Sequence, residues 1–181
     1  MGTGGERVDG YAVDKGEIGS VVVGYRNGRV AAVLLGDSAD DVVQQLEKRF
    51  PDVAVHGPCG DKLGIARKIA AILEGEDLPP DVPIDVNGTP FQQAVWNVIR
   101  SIPCGCTQTY GHVAAKIGKP KAVRAVASAC GANPIAVLVP CHRVVRSDGN
   151  GQGYAWGMDR KAALLERERI GRCQDRHGQM L

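Results

Sequence analysis

A cysteine and a histidine stand side by side at Cys141-His142, inside the run Val137-Leu138-Val139-Pro140-Cys141-His142-Arg143-Val144-Val145. Apolar, β-branched flanks desolvate whatever lies between them. A free thiol has a pKa of about 8.5, so at neutral pH it is mostly protonated. It becomes a nucleophile when a base or a helix dipole takes up or offsets that proton, and histidine can be the base. Neighbours in sequence point different ways, however. His142 reaches the Cys141 sulfur only around a tight turn or through a bridging water. Adjacency alone also fits a buried apolar cysteine beside a surface histidine.

The remaining cysteines limit the chemistry. The 181-residue chain has Cys59, Cys104, Cys106, Cys130, Cys141 and Cys173. Cys104-Gly105-Cys106 lacks a second pair at zinc-finger spacing and no His-x3-His follows, so no metal site is expected. The N-terminus shows neither the basic nor the apolar segment of a secretory signal, and no run of about 18 apolar residues spans a membrane. The expectation is a cytoplasmic protein with reduced thiols and no membrane contact.

Charge is divided unevenly. Residues 1–86 hold nine Lys/Arg and fifteen Asp/Glu, a net −6, whereas residues 87–181 hold thirteen and five, a net +8. Between Thr107 and Ser147 lie Lys116, Lys119, Lys121, Arg124, Arg143 and Arg146, with no acid. A one-sign stretch beside a reactive thiol suits a polyanionic partner, as it also suits a solvated basic face.

The elements that must position these residues fall into two halves. In the first, the β-branched runs Ile18–Tyr25 and Arg29–Leu35 flank Asn27-Gly28, a hairpin signal. Helices are expected over Ser38–Phe50, capped by Ser38, and over Leu63–Leu73. A loop over Glu74–Pro83 leads to a short strand at Ile84-Asp85-Val86. This half, 10–86, reads as a small α/β domain after a disordered stretch, 1–9.

The second half, 87–170, opens on Thr89-Pro90-Phe91-Gln92, a capping box with proline at the first helical position. That helix runs to about Ile102, burying Phe91, Val95, Val98, Ile99 and Ile102. Helices over Thr109–Ile117 and Lys121–Cys130, joined through Gly118-Lys119-Pro120, make a helix-turn-helix pattern. In the second of them Val123, Val126, Ala127 and Cys130 are spaced to face the core. The other face, with Arg124 among alanines, has no Asn or Gln to read adenine. It is slim enough for the minor groove, about 6 Å wide, and fits a plain amphipathic helix as well. A strand over Ile135–Val139 then delivers Pro140-Cys141. The glycine-rich stretch 146–153 reads as a loop or the wing of a winged helix-turn-helix. Asp159 caps a last helix, Arg160–Glu168, and 171–181 is a polar tail without pattern, expected to be disordered.

Pro140-Cys141-His142-Arg143-Val144-Val145 closely resembles the active-site motif of the O6-alkylguanine-DNA alkyltransferases. The match extends over about Gly88 to Glu168, roughly half the chain. It takes in Gly88-Thr89-Pro90-Phe91-Gln92, Ile102-Pro103-Cys104-Gly105, Thr109-Tyr110, Gly118-Lys119-Pro120-Lys121-Ala122-Val123-Arg124-Ala125-Val126, Asn133-Pro134, Gly153-Tyr154 and Leu164-Leu165-Glu166. Trp156-Gly157 is similar to the pair in the alkyltransferase half of the bacterial adaptive-response proteins.

The resemblance implies a ribonuclease-H-like α/β N-terminal domain and a mainly α, winged helix-turn-helix C-terminal domain. It implies a single-turnover transfer of an alkyl group from O6 of guanine, or O4 of thymine, to Cys141, with no cofactor. His142 would be the base through a water, Glu168 would orient it, and Asn133 would brace the turn before the active-site loop. The partner would be double-stranded DNA, met through the minor groove by a monomer. Arg124 would fill the place of the flipped base, and Tyr110 would turn the nucleotide's phosphate and hydrogen-bond the base. Lys119, Lys121, Arg146 and Ser147 would hold phosphates. Carbonyls of Cys141 and Val144 would accept from the guanine amino group, the Ala155 amide would donate to O6, and Tyr154 and Trp156 would wall the pocket. Two departures stand out. Gly151-Gln152 replaces a leucine and a small residue, loosening the wing. Trp156 replaces a glycine, so it either narrows the pocket or packs under the last helix against Leu164. Competing readings of the same residues are a cysteine hydrolase using Cys141, His142 and Glu168, and a DNA-binding regulator without chemistry.

Overall fold

Asn27 and Gly28 both adopt positive φ (50° and 74°), the geometry of a two-residue hairpin turn. They join β2 (Gly19–Arg26) to β3 (Arg29–Gly36), and β1 (Gly10–Gly16) pairs antiparallel with β2, giving the sheet order β1-β2-β3. The structure is a computed structural model that describes residues 8–51, 64–73, 82–148 and 153–178, with side chains to residue 170. The chain divides into two compact units, one of Met1–Asn87 with Pro134–Leu138 and one of Gly88–Asn133 with Val139–Leu181.

In the first unit, α1 (Ala39–Arg49) and α2 (Ile65–Leu73) pack on the sheet. Ser38 caps α1 by accepting from the Asp41 amide at 3.2 Å, and Val42, Leu46 and Phe50 are buried. β1 is absent from the sequence reading. Its inward residues are Gly10, Ala12 and Gly16, too small to show an apolar alternation. The small residues have a packing reason: a Cβ on Gly16 would lie 2.9 Å from the Ala70 carbonyl oxygen of α2. Val8 is buried and the Asp9 amide donates to the Tyr25 carbonyl, so the expected disorder of 1–9 does not extend to these two; residues 1–7 lie outside the described residues. The expected loop Glu74–Pro83 is outside them up to residue 81.

Two short segments occupy the outer edge of β3 and satisfy its backbone groups. Val30 exchanges hydrogen bonds with Pro83 and Asp85, and Val33 with Pro134 and Ala136. Ile84 and Ile135 therefore form single parallel bridges rather than strands. The expected strand Ile135–Val139 is replaced by a turn. The Leu138 amide donates to the Ala136 carbonyl at 2.7 Å around Val137, whose φ is +67°. A β-branched residue in that region is strained, and the two-residue closure is the rarer γ-turn.

The second unit begins with α3 (Pro90–Arg100), where both halves of the capping box form between Thr89 and Gln92. Val95, Trp96, Ile99 and Ile102 are buried; Phe91 and Val98 are half-buried. Next come β4 (Gln108–Thr109), α4 (Tyr110–Lys116) and α5 (Val123–Gly131). α4 ends in a Schellman motif: the Lys119 amide reaches the Ala114 carbonyl and the Gly118 amide the Ala115 carbonyl, with Gly118 at φ +73°. A turn through Pro120, closed from the Ala122 amide to the Lys119 carbonyl, starts α5. Trp96 Nε1 donates to the Ala129 carbonyl at 2.9 Å and ties α3 to α5.

α5 differs from expectation in its buried face. Val126, Ala129 and Cys130 are buried, while Val123 and Ala127 are exposed. The helix starts two residues later than expected, and its inward stripe is carried by Ala129 in place of the larger Val123. β5 (Val144–Val145) pairs parallel with β4. α6 (Met158–Gly178) begins from Gly157, whose carbonyl accepts from the Lys161 amide, so Asp159 lies in the first turn rather than at the cap. There its charge still favours the helix N-terminus. α6 runs ten residues past Glu168, through the expected tail, on helix formers such as arginine and glutamine. That extension lacks an apolar stripe, which is why periodicity ended the helix early.

Candidate active site

Two turns deliver Cys141. Pro140, with φ −79° and ψ 64°, forms an inverse γ-turn closed by the Cys141 amide on the Val139 carbonyl at 2.8 Å. Proline's fixed φ suits that geometry. A single 3-10 turn, Cys141–Arg143, follows, with all three residues buried. Asn133, fully buried after α5, holds this turn: its Nδ2 donates to the Val139 carbonyl at 2.9 Å and to Cys141 Sγ at 3.2 Å.

His142 does not touch Cys141 directly by hydrogen bond; its Nε2 meets Glu168 Oε1 at 2.7 Å. Its Nδ1 is buried with no protein partner. Burial pushes the imidazole pKa down, against the pull of Glu168, so the ring is neutral near pH 7. Burial would raise the Glu168 pKa, but hydrogen bonds from His142 and Arg143 outweigh it and hold the carboxyl at about 2. An ionised Glu168 accepts, so Nε2 carries the hydrogen and Nδ1 the lone pair.

Arg143 anchors the same carboxylate. Its Nε lies 3.0 Å from both oxygens, its Nη2 2.8 Å from Oε1, and its Nη1 donates to the Ile102 carbonyl at 2.7 Å. The Gly105 amide donates to Oε2 at 3.1 Å. The basic stretch thus contributes one residue fewer to any polyanion-facing surface than its composition implied, because Arg143 is buried.

Hydrogen bonding with Cys130 and burial push the Cys141 thiol pKa well above its ordinary value, while Asn133 and Lys161 pull it down. At rest Cys141 is therefore a thiol, and any nucleophilic use of it needs a base. Lys161, buried on α6, donates to the Val144 carbonyl at 2.8 Å. Burial pushes its own pKa down, against the two thiols.

Cys141 opens into a cavity of about 950 Å3. Tyr110, Arg124, Arg146, Ser147, Tyr154 and Ala155 line it, as do Val123 and Ala127 from the exposed face of α5. Tyr110 is pushed up to about 12 by burial and the neighbouring thiols, and its hydroxyl reaches the Gly153 carbonyl at 3.4 Å. Tyr154 sits edge-on to His142 at 6.3 Å, with its hydroxyl buried and without a protein partner. Burial raises its pKa strongly.

Not every expected residue joins the cavity. Lys119 and Lys121 are exposed outside it, with Lys119 Nζ 5.4 Å from the Phe91 ring centroid. Arg146 lines it while pairing with Asp148 at 3.4 Å. Val144 is buried and is not among the cavity-lining residues. Trp156 is buried, edge-on to Tyr154 at 5.2 Å, and is not among the residues that line the cavity. Gly151-Gln152, where a looser wing was expected, lie outside the described residues.

Sequence reasoning missed Lys161, Arg143 and Cys130. Lys161 had a signal. Lys161, Leu164, Leu165 and Glu168 follow i, i+3, i+4, i+7, so the inward stripe of α6 carries two charges. Among the described residues no group of three or more His, Cys, Asp or Glu side chains could hold a metal ion, and no helix is long and apolar enough to cross a membrane.

Residues 90–170 match the family model of the 6-O-methylguanine DNA methyltransferase DNA-binding domain. The chain is 46% identical over 159 residues to the bifunctional transcriptional activator/DNA repair enzyme Ada of Escherichia coli (strain K12), covering 87% of this chain and 45% of that protein. It is 48% identical over 108 residues to the methylated-DNA–protein-cysteine methyltransferase of Methanosarcina acetivorans, covering 60% of this chain and 68% of that one. The crystal structure of Mycobacterium tuberculosis O6-methylguanine methyltransferase superposes with a TM-score of 0.74 at 35% identity, covering 89% and 93% of the two chains. A second structure of the mycobacterial protein, in complex with DNA, gives 0.73 at 34% over 88% and 92%. The chain spans about half the length of the Ada proteins it matches.

Proposed function

This chain belongs to the methylated-DNA–protein-cysteine methyltransferase family, and from that premise we propose that it repairs DNA by moving an alkyl group from O6 of guanine, or O4 of thymine, onto Cys141. The transfer happens once per protein molecule. The observation that carries the reading is the Cys141–His142–Glu168 arrangement: a protonated thiol on a cavity, next in the chain to a buried neutral imidazole with one nitrogen held by a fixed carboxylate and the other free.

The chemistry follows from those atoms. The Cys141 proton passes through a water to His142 Nδ1, and Glu168 stabilises the imidazolium. The sulfur attacks the alkyl carbon, a carbon–sulfur bond forms and the carbon–oxygen bond breaks, leaving its electron pair on the base oxygen. The Ala155 amide, on the cavity wall, donates to that oxygen. The Tyr110 hydroxyl holds the base from the opposite side. The Cys141 carbonyl accepts from the guanine amino group, and the Val144 carbonyl shares that role with its bond to Lys161. A thioether is a poor leaving group, so the protein is spent.

The base must leave the duplex, at a cost of a few kcal/mol. α4 and α5 form the helix-turn-helix of a winged domain, with the wing after β5, and the first unit is its ribonuclease-H-like companion. α5 enters the minor groove with its slim exposed face, and Arg124, at the cavity mouth, takes the place of the flipped base. Arg146 and Ser147 at the rim, and Lys119 and Lys121 at the turn, hold phosphates, which position without specifying sequence. Transfer of labelled methyl from an O6-methylguanine duplex tests the assignment. Cys141→Ala should abolish it and His142→Ala slow it by about 100-fold or more. Undiminished transfer in either variant overturns the role given to that residue.

A further inference from the structure

Lys161 is 1% exposed, and lysine is almost never buried this deeply without a paired charge. No carboxylate pairs with it among the described residues; its Nζ donates instead to the Val144 carbonyl at 2.8 Å. The transfer described above gives it no step. Burial lowers its pKa, but an amine donates an N–H in either protonation state, so the bond does not depend on the charge.

That bond holds the exit of the active-site turn. The Val144 amide closes the 3-10 turn on the Cys141 carbonyl, and the Val144 carbonyl is the group that Lys161 takes. One residue therefore joins the carbonyl of the nucleophile to a donor fixed on α6. Glu168, seven residues further along the same stripe of α6, bonds His142 and Arg143 within that turn. α6 thus holds the turn at two points, and only Glu168 has a task in proton transfer.

We propose that Lys161 is a positioning residue for base recognition: by holding Val144 it aims the backbone carbonyls of the active-site turn at the 2-amino group of the flipped guanine. The inference rests on the repair reading above and extends it to the choice of base. A carbonyl oxygen has two acceptor sites, so it can keep its protein donor and still take one from the base. Cys141 lines the cavity and Val144 does not. Lys161 therefore acts on the base chiefly through the Cys141 carbonyl, whose direction the Val144 amide sets. Methionine in place of Lys161 keeps an unbranched apolar stem but leaves the Val144 carbonyl without this donor.

The test compares two duplexes, one with O6-methylguanine and one with O6-methylhypoxanthine, in which hydrogen replaces the 2-amino group. Single-turnover rates at saturating protein are measured for the wild type, Lys161→Met and Lys161→Gln, with a melting curve and an active fraction for each. The wild type should react at least about tenfold faster with O6-methylguanine, because the analogue leaves buried acceptors without a donor. In Lys161→Met the preference should fall to about two- to threefold, mainly through slower reaction with the guanine duplex. Lys161→Gln, which keeps an N–H donor, should lie between the two. A lysine that only supports the fold would lower the melting temperature and the active fraction and leave the ratio at its wild-type value; that result overturns the proposal. A wild-type ratio near one overturns it as well, as does failure of both variants to fold. No transfer by the wild type to either duplex overturns the repair reading itself, and this inference with it.

Discussion

His142 Nε2 lies 2.7 Å from Glu168 Oε1, and that contact assigns the two ring nitrogens different tasks. The nitrogen facing Glu168 keeps its hydrogen. The other, Nδ1, is left basic and buried without a protein partner. Arg143 and the Gly105 amide fix the carboxylate from two further sides, so the ring faces a partner that is itself held in place.

The pH dependence of transfer follows from the sign of the His142 shift. Burial lowers its pKa below the ordinary 6.5, so the base stays unprotonated at neutral pH. The acid limb of the rate should therefore be centred below pH 6.5. Single-turnover rates between pH 5 and pH 8 check this; an acid limb centred above 6.5 contradicts it.

Glu168 links the site to acid stability. Its folded pKa of about 2 is depressed from 4.5, so its stabilisation is present above pH 4.5 and is lost as pH falls towards 2. Glu168→Gln should remove that part of the pH dependence. It also leaves the buried Arg143 guanidinium without a counter-charge, a loss of about 3–5 kcal/mol at neutral pH. Urea midpoints of both proteins across that range measure the two effects together, and matching curves would rule them out.

Arg124 lines the cavity from the exposed face of α5. Arg124→Ala should slow repair of duplex DNA by at least tenfold while reaction with a free-base analogue changes little. A role confined to phosphates predicts a loss that varies mainly with salt. Equal losses on both substrates would indicate damage to the fold.

The site was legible in the sequence where local chemistry carries it. Cys141, His142 and Asn133 lie within one short stretch, and Thr89, Gly118 and Pro120 announce the caps and turn that place α4 and α5. Contacts that depend on distant packing were not legible. By composition Arg143 reads as one more surface cation, whereas its partner Glu168 lies 25 residues away in the chain. The Ile135–Val139 run looks like a strand by composition. It became a turn because the β3 edge takes one residue of it and Val137 turns back with positive φ. β1 was hidden because its inner face is glycine and alanine.

Trp156 shows the same limit. As a glycine replacement near the pocket it promised a thickened wall, yet it is buried against Tyr154 and is not among the cavity-lining residues. Trp156→Gly should therefore destabilise the protein by about 3–5 kcal/mol, seen as a fall in melting temperature. The ratio of methyl to benzyl transfer rates should stay the same. A ratio shifted towards benzyl would restore the wall.

The most direct measurement is stoichiometry at Cys141. The protein is mixed with excess O6-methylguanine duplex and followed by intact mass and peptide mapping. One methyl group per molecule is expected, a gain of about 14 Da on the Cys141 peptide alone, with repair stopping at one equivalent of base. Continued repair beyond one equivalent, or the added mass on any other residue, would contradict direct transfer to this cysteine.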